Sequence, residues 1–137
     1  MRFIAAAVAS FLAVIGVVAM VSNPITRDTV LGDMSHSQQH LLLDRIQVHE
    51  GWHDGSRSMR NNNPGNIEYG PFAVRLGATG SDGRFAIFKS YEEGRYALHY
   101  LLFHTTTYPT LTVEQMVDRY APSTENNVEA YIKALID

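Results

Sequence analysis

Residues 60–70 read RNNNPGNIEYG. Three asparagines, a proline, a glycine and a fourth asparagine stand together there. Asparagine and glycine tolerate left-handed backbone, and asparagine side chains bond nearby main chain, so the stretch reads as an ordered polar loop. Just upstream, Glu50 closes a helical pattern in which Leu43, Ile46 and Glu50 share one face. Just downstream, GATGSDGRFAIF over residues 77–88 reads as a glycine-rich hairpin. Asn66–Tyr69, Phe72–Leu76 and Arg84–Phe88 read as three short strands. A helix-terminal glutamate, a rigid polar loop and a small sheet are the parts of a sugar-cleaving site.

Outward from this centre, helix starts are marked by caps. Ser35 or Ser37 begins the helix that ends near Glu50. Ser90 with Glu93, and Thr112 with Gln115, have capping-box spacing. Asn126 with Glu129 marks a last helix carrying Val128, Tyr131, Ile132 and Leu135. The order is helix, three-stranded antiparallel sheet, then helices, an α+β arrangement.

The chain has 137 residues, no cysteine and a formal charge of −3. That leaves no disulfide framework, no thiolate metal site and no basic footprint for nucleic acid. From Phe3 to Val21 every residue is apolar except Ser10 and Gly16. A bilayer-spanning helix needs about 20 apolar residues, and a secretory core is usually shorter. Residues 1–22 are therefore expected to be a single-pass transmembrane anchor, with a cleaved signal segment ending near Ala19 as the alternative. Residues 23–35, polar with Pro24 and Gly32, read as a linker, and residues 36–137 as the domain.

Glu50 is the leading candidate for chemistry. Burial and a helix C-terminus both disfavour its charged form. A protonated carboxyl is what a general acid at a glycosidic oxygen requires. The same residue sits in His49-Glu50-Gly51-Trp52-His53, which matches the H-E-x-x-H zinc-peptidase helix. Gly51 is a poor residue for a helix that must hold two ligands rigid. His99, His104 and Glu92 are the candidates for a third ligand. Asp82 suits a turn in Ser81-Asp82-Gly83, so no second carboxylate stands out.

Taken together, Glu50-Gly51, RNNNPGNIEYG, GATGSDGRFAIF with the following Ser-Tyr-Glu-Glu-Gly, and the tail Tyr-Ala-Pro…Glu-Asn…Tyr-Ile resemble a family of phage virion-associated and prophage lytic transglycosylases in the lysozyme-like superfamily. The resemblance covers nearly all of residues 43–132. It implies a lysozyme-like domain that cleaves the glycan strands of peptidoglycan between N-acetylmuramic acid and N-acetylglucosamine. It places Glu50 as the catalytic acid and Tyr120 as a tyrosine near that acid. Asn63, Asn66 and Tyr69 match its loop and become candidate substrate contacts. No metal or other cofactor is implied. The implied setting is a virion or bacterial inner membrane, with other virion proteins as partners. A stem-peptide zinc endopeptidase and an inactive virion protein of the same fold are the alternatives.

Overall fold

The computed structural model describes residues 23–121 and 127–137. Helix α1 spans His36–His49 and starts at Ser35, whose side chain and Gln38 form a reciprocal capping box. Two short helices follow, α2 over Arg57–Arg60 and α3 over Pro71–Arg75. Strands β1 (Gly80–Ser81) and β2 (Ala86–Ile87) pair antiparallel, with Gly80 opposite Ile87. Helix α4 spans Tyr91–Phe103, α5 Val113–Tyr120 and α6 Val128–Leu135. Thr112 and Gln115 make the expected capping box of α5, whereas α6 is capped by Asn127; Asn126 lies outside the described residues.

One core joins these elements. Leu42, Leu43 and Ile46 of α1 meet Leu98 and Leu102 of α4, Met116 and Val117 of α5, and Tyr131, Ile132 and Leu135 of α6, all fully buried. Each such side chain contributes about 1.5–3 kcal/mol on leaving water.

The structure corrects the expected fold in three places. Among the described residues the sheet has two strands, not three. Phe72–Leu76 is mostly helix, because Pro71 occupies the first turn of α3, where its fixed φ is already helical and its missing N–H is not needed. The stretch read as the first strand keeps a single bridge, Glu68 to Phe85. Residues 23–35 are packed rather than a free linker. Ile25 and Leu31 are fully buried, Val30 bridges Thr112, and the Asp137 N–H donates to the Ile25 carbonyl at 3.0 Å.

The third correction concerns the membrane. The anchor expected over residues 1–22 lies outside the described residues. Among the described residues no helix is long and apolar enough to cross a membrane. The longest, α1, has 14 residues, about 21 Å at 1.5 Å per residue, against a hydrocarbon core of about 30 Å. The transmembrane helix in the expected fold, and the membrane-anchored location that rested on it, are accordingly set aside.

Candidate functional site

The site forms where α1 ends. Glu50 is the C-cap, at φ −74° and ψ 0°, with its N–H on the Ile46 carbonyl at 2.8 Å. Gly51 follows at φ +86°, a left-handed turn that glycine makes without steric cost and that stops the helix. Glu50 is half-buried. Tyr131, from the middle of α6, donates its hydroxyl hydrogen to Glu50 Oε2 at 2.6 Å. Asn66 Nδ2 lies 3.2 Å from both Oε1 and the main-chain oxygen of Glu50. One carboxyl is thus gripped from two sides by donors 16 and 81 residues away in sequence.

Each donor is set by its surroundings. Tyr131 is 1% exposed. Burial first, then the neighbouring Tyr120 and the Glu50 charge, push its phenol far above its usual range, so it remains a donor. The His49 ring packs on it, with centroids 3.9 Å apart. Asn66 stands at φ +48°, a left-handed conformation that asparagine tolerates better than other non-glycine residues but that still costs more than it would for glycine. Its Oδ1 is buried with no hydrogen-bond partner among the described residues. The two acceptors on Glu50 fix the amide orientation, because only the Nδ2 end can face them.

The loop that carries Asn66 is braced by its other asparagines. Asn63 is fully buried. Its Nδ2 donates to the Ile67 and Ala86 carbonyls, and its Oδ1 accepts from the Ile67 N–H, all at 2.9 Å. Asn63 thereby ties the loop to β2. Asn62, at φ +51°, donates to the Phe88 carbonyl at 3.0 Å. Asn61 donates to Asp82 Oδ2 at 2.8 Å, and Arg57 Nε to the same oxygen at 2.5 Å. Arg57 first and Asn61 second hold the Asp82 carboxyl well below the usual carboxylate range. The loop also rests on α4 through Gly94, where an added Cβ would come within 1.8 Å of the Asn62 carbonyl oxygen.

Of the five residues singled out by sequence, the structure brings Glu50 and Asn66 into direct contact. Tyr120 is one step away. Its hydroxyl donates to the Gly65 carbonyl, next to Asn66. Burial, then the Glu50 charge, raise its phenol well above its usual range. Asn63 faces the loop interior, and Tyr69 is 48% exposed on the loop's outer end. Tyr131 was missed as a site residue because it reads as one more member of an apolar helix face. A buried tyrosine needs a partner for its hydroxyl, and an apolar-face carboxyl needs a donor; pairing those two demands was the available signal.

The H-E-x-x-H reading requires His49 and His53 one turn apart on a helix. The helix ends between them. His49 lies against Tyr131, while His53 Nδ1 sits 3.2 Å from the Asp54 carbonyl oxygen. Among the described residues no group of three or more His, Cys, Asp or Glu is placed to share a metal ion. Comparison of the chain with protein-family models, with curated proteins and with solved structures finds no match.

Proposed function

We propose that this protein is a lytic transglycosylase that cleaves the bond between N-acetylmuramic acid and N-acetylglucosamine in peptidoglycan, acting from a phage particle among other virion proteins. The observation that carries the reading is the half-buried Glu50 carboxyl at a helix end, held by Tyr131 and Asn66. Asn66 combines a left-handed backbone with an unpaired buried oxygen. Such local costs gather at functional sites. The phage setting and the substrate come from the sequence resemblance alone.

In this mechanism Glu50 gives its proton to the glycosidic oxygen as the C1–O bond breaks. The 2-acetamido group of the substrate stabilises the developing cation. Glu50, now a carboxylate, takes the proton of the muramic acid 6-hydroxyl as that oxygen bonds to C1. The product is a 1,6-anhydro sugar, the carboxyl ends protonated as it began, and no water is consumed. One carboxyl serves as acid and then base, so no second carboxylate is needed. Tyr131 and Asn66 keep its two oxygens in place between the steps.

Release of soluble muropeptides from purified peptidoglycan, with mass spectrometry of the products, tests this. The expected products are lighter by one water than hydrolysis products. Glu50→Gln should lower release by a factor of at least about 10²–10⁴, the usual share of a positioned general acid, with the melting temperature held. A folded Glu50→Gln protein with undiminished release would show that Glu50 is not the acid. No release by the unmodified protein would favour an inactive structural role.

A further inference from the structure

Trp52 is the only tryptophan in the chain. It is half-buried, yet it belongs neither to the core nor to the partly buried side chains packed against it. The turn at Gly51 folds the chain back over the last turn of α1, and the Trp52 N–H donates to the Gln47 carbonyl at 3.1 Å. The indole lies against Tyr91, with ring centroids 5.0 Å apart at 52°. Tyr91 is also half-buried. Its hydroxyl donates to Gln47 Oε1 at 2.9 Å, and Arg95 donates to the same oxygen at 3.1 Å. Gln47 therefore fixes both aromatic residues, one through main chain and one through side chain.

We propose that Trp52, backed by Tyr91, is a stacking platform for one pyranose ring of a β-1,4-linked N-acetylated glycan, beside the Glu50 carboxyl. This deepens the transglycosylase reading and rests on it for the identity of the glycan. Only Gly51 separates Trp52 from Glu50, so their Cα atoms, two peptide links apart, lie within about 7.6 Å by chain geometry. The apolar C–H face of a sugar ring suits a flat indole, while the ring's hydroxyls stay in water. An aromatic braced by a neighbouring ring and a fixed main chain loses little conformational freedom on binding. A single tryptophan–tyrosine pair is too small to dock a folded partner, which needs roughly 800 Å² on each side, but it matches one sugar ring.

The test uses the full chain carrying Glu50→Gln, so that nothing is cut, and a soluble β-1,4-linked N-acetylglucosamine oligomer as probe. Because Trp52 is the sole indole, its emission reports the site directly. A saturable change in intensity and wavelength is expected. By calorimetry, adding Trp52→Ala should weaken binding on the order of tenfold, and Trp52→Phe by only about two- to threefold. Saturable binding with an unaltered emission spectrum, or an unchanged Kd in Trp52→Ala, would overturn the platform. An emission response without muropeptide release by the unmodified protein would keep the platform and remove the transglycosylase reading. Release from peptidoglycan with no emission response would do the reverse. An oligomer that leaves the emission unchanged, with no release, would remove both.

Discussion

At the scale of single residues, the grip on Glu50 separates into two bonds that can be cut one at a time. Tyr131→Phe removes one hydroxyl from a ring that stays packed. A hydrogen bond to a charged group contributes about 1.5–3 kcal/mol to stability, so the melting temperature should fall by several degrees or more, and muropeptide release, compared where both proteins are folded, should fall by roughly tenfold or more. Asn66 poses a sharper question, because its backbone and side chain do different things. Asn66→Gly suits φ +48° and removes only the amide. Release should fall by about tenfold or more, with stability within about 1 kcal/mol of the parent. Asn66→Ala loses the amide and keeps the strained backbone, and should be the less stable of the two. Equal melts for the two variants would show that the left-handed turn stores no strain.

At the scale of elements, the asparagine loop and α4 touch through a residue without a side chain. Within an exposed helix, Gly→Ala stabilises by about 1 kcal/mol. At Gly94 the added carbon would stand 1.8 Å from the Asn62 carbonyl oxygen, which no rotamer relieves. The clash should win, and Gly94→Ala is expected to destabilise by about 1–3 kcal/mol, read by denaturant unfolding. This seam also shows what sequence can and cannot reveal. Starts of α1 and α5 were legible because Ser35–Gln38 and Thr112–Gln115 act within one turn. The hairpin over residues 77–88 was legible too; what replaces the third strand was not, because Ile67 and Ala86 are joined partly through the Asn63 amide, a long-range brace that no alternation of residues announces. The buried face of α4 is hidden in the sequence for a related reason. Tyr96 looks like core by spacing and is 57% exposed, whereas Gly94, Ala97, Leu98 and Leu102 form the buried side. Close helix–loop packing selects small residues there, and smallness carries no hydrophobic signal.

At the scale of the whole molecule, four of the six histidines gather where α1 meets α4. His36 and His40 bring their Nε2 atoms to 3.1 Å, the His40 and His99 rings stack with centroids 6.1 Å apart, and His104 adjoins His99. His99 Nε2 also meets Gln39 Oε1 at 2.9 Å. Arg95 lies 3.5 Å from His40 and pairs with Asp44 at 2.7 Å. Burial first, then His104, His40, His36 and Arg95, depress the proton affinity of His99 below its free value of 6.5. The unfolded chain therefore binds this proton more readily than the folded one. The stability concerned is fully present above pH 6.5 and is lost as pH falls below it. Melting temperature should decline between about pH 7 and 5, and His99→Gln should flatten that decline. A curve identical to the parent's would show that protonation of His99 does not load the helix pair.

The stitching of residue 25 to residue 137 has a topological consequence. Two main-chain and side-chain bonds join them, from the Asp137 N–H to the Ile25 carbonyl and from the Ile25 N–H to Asp137 Oδ2 at 2.7 Å. Arg45 Nη2 clasps the other oxygen of the same carboxylate at 2.5 Å. Over these residues the polypeptide is a nearly closed ring with one gap. A ring can be cut elsewhere: a short link across that gap, with new ends at the exposed hairpin turn near Gly83, rearranges the order of synthesis without disturbing the core. Such a circular permutant would bring Glu50, Asn66 and Tyr131 into a new sequence order, with Tyr131 first, and leave their meeting place unchanged. What the site needs is the closure of the ring, not the point at which it is opened.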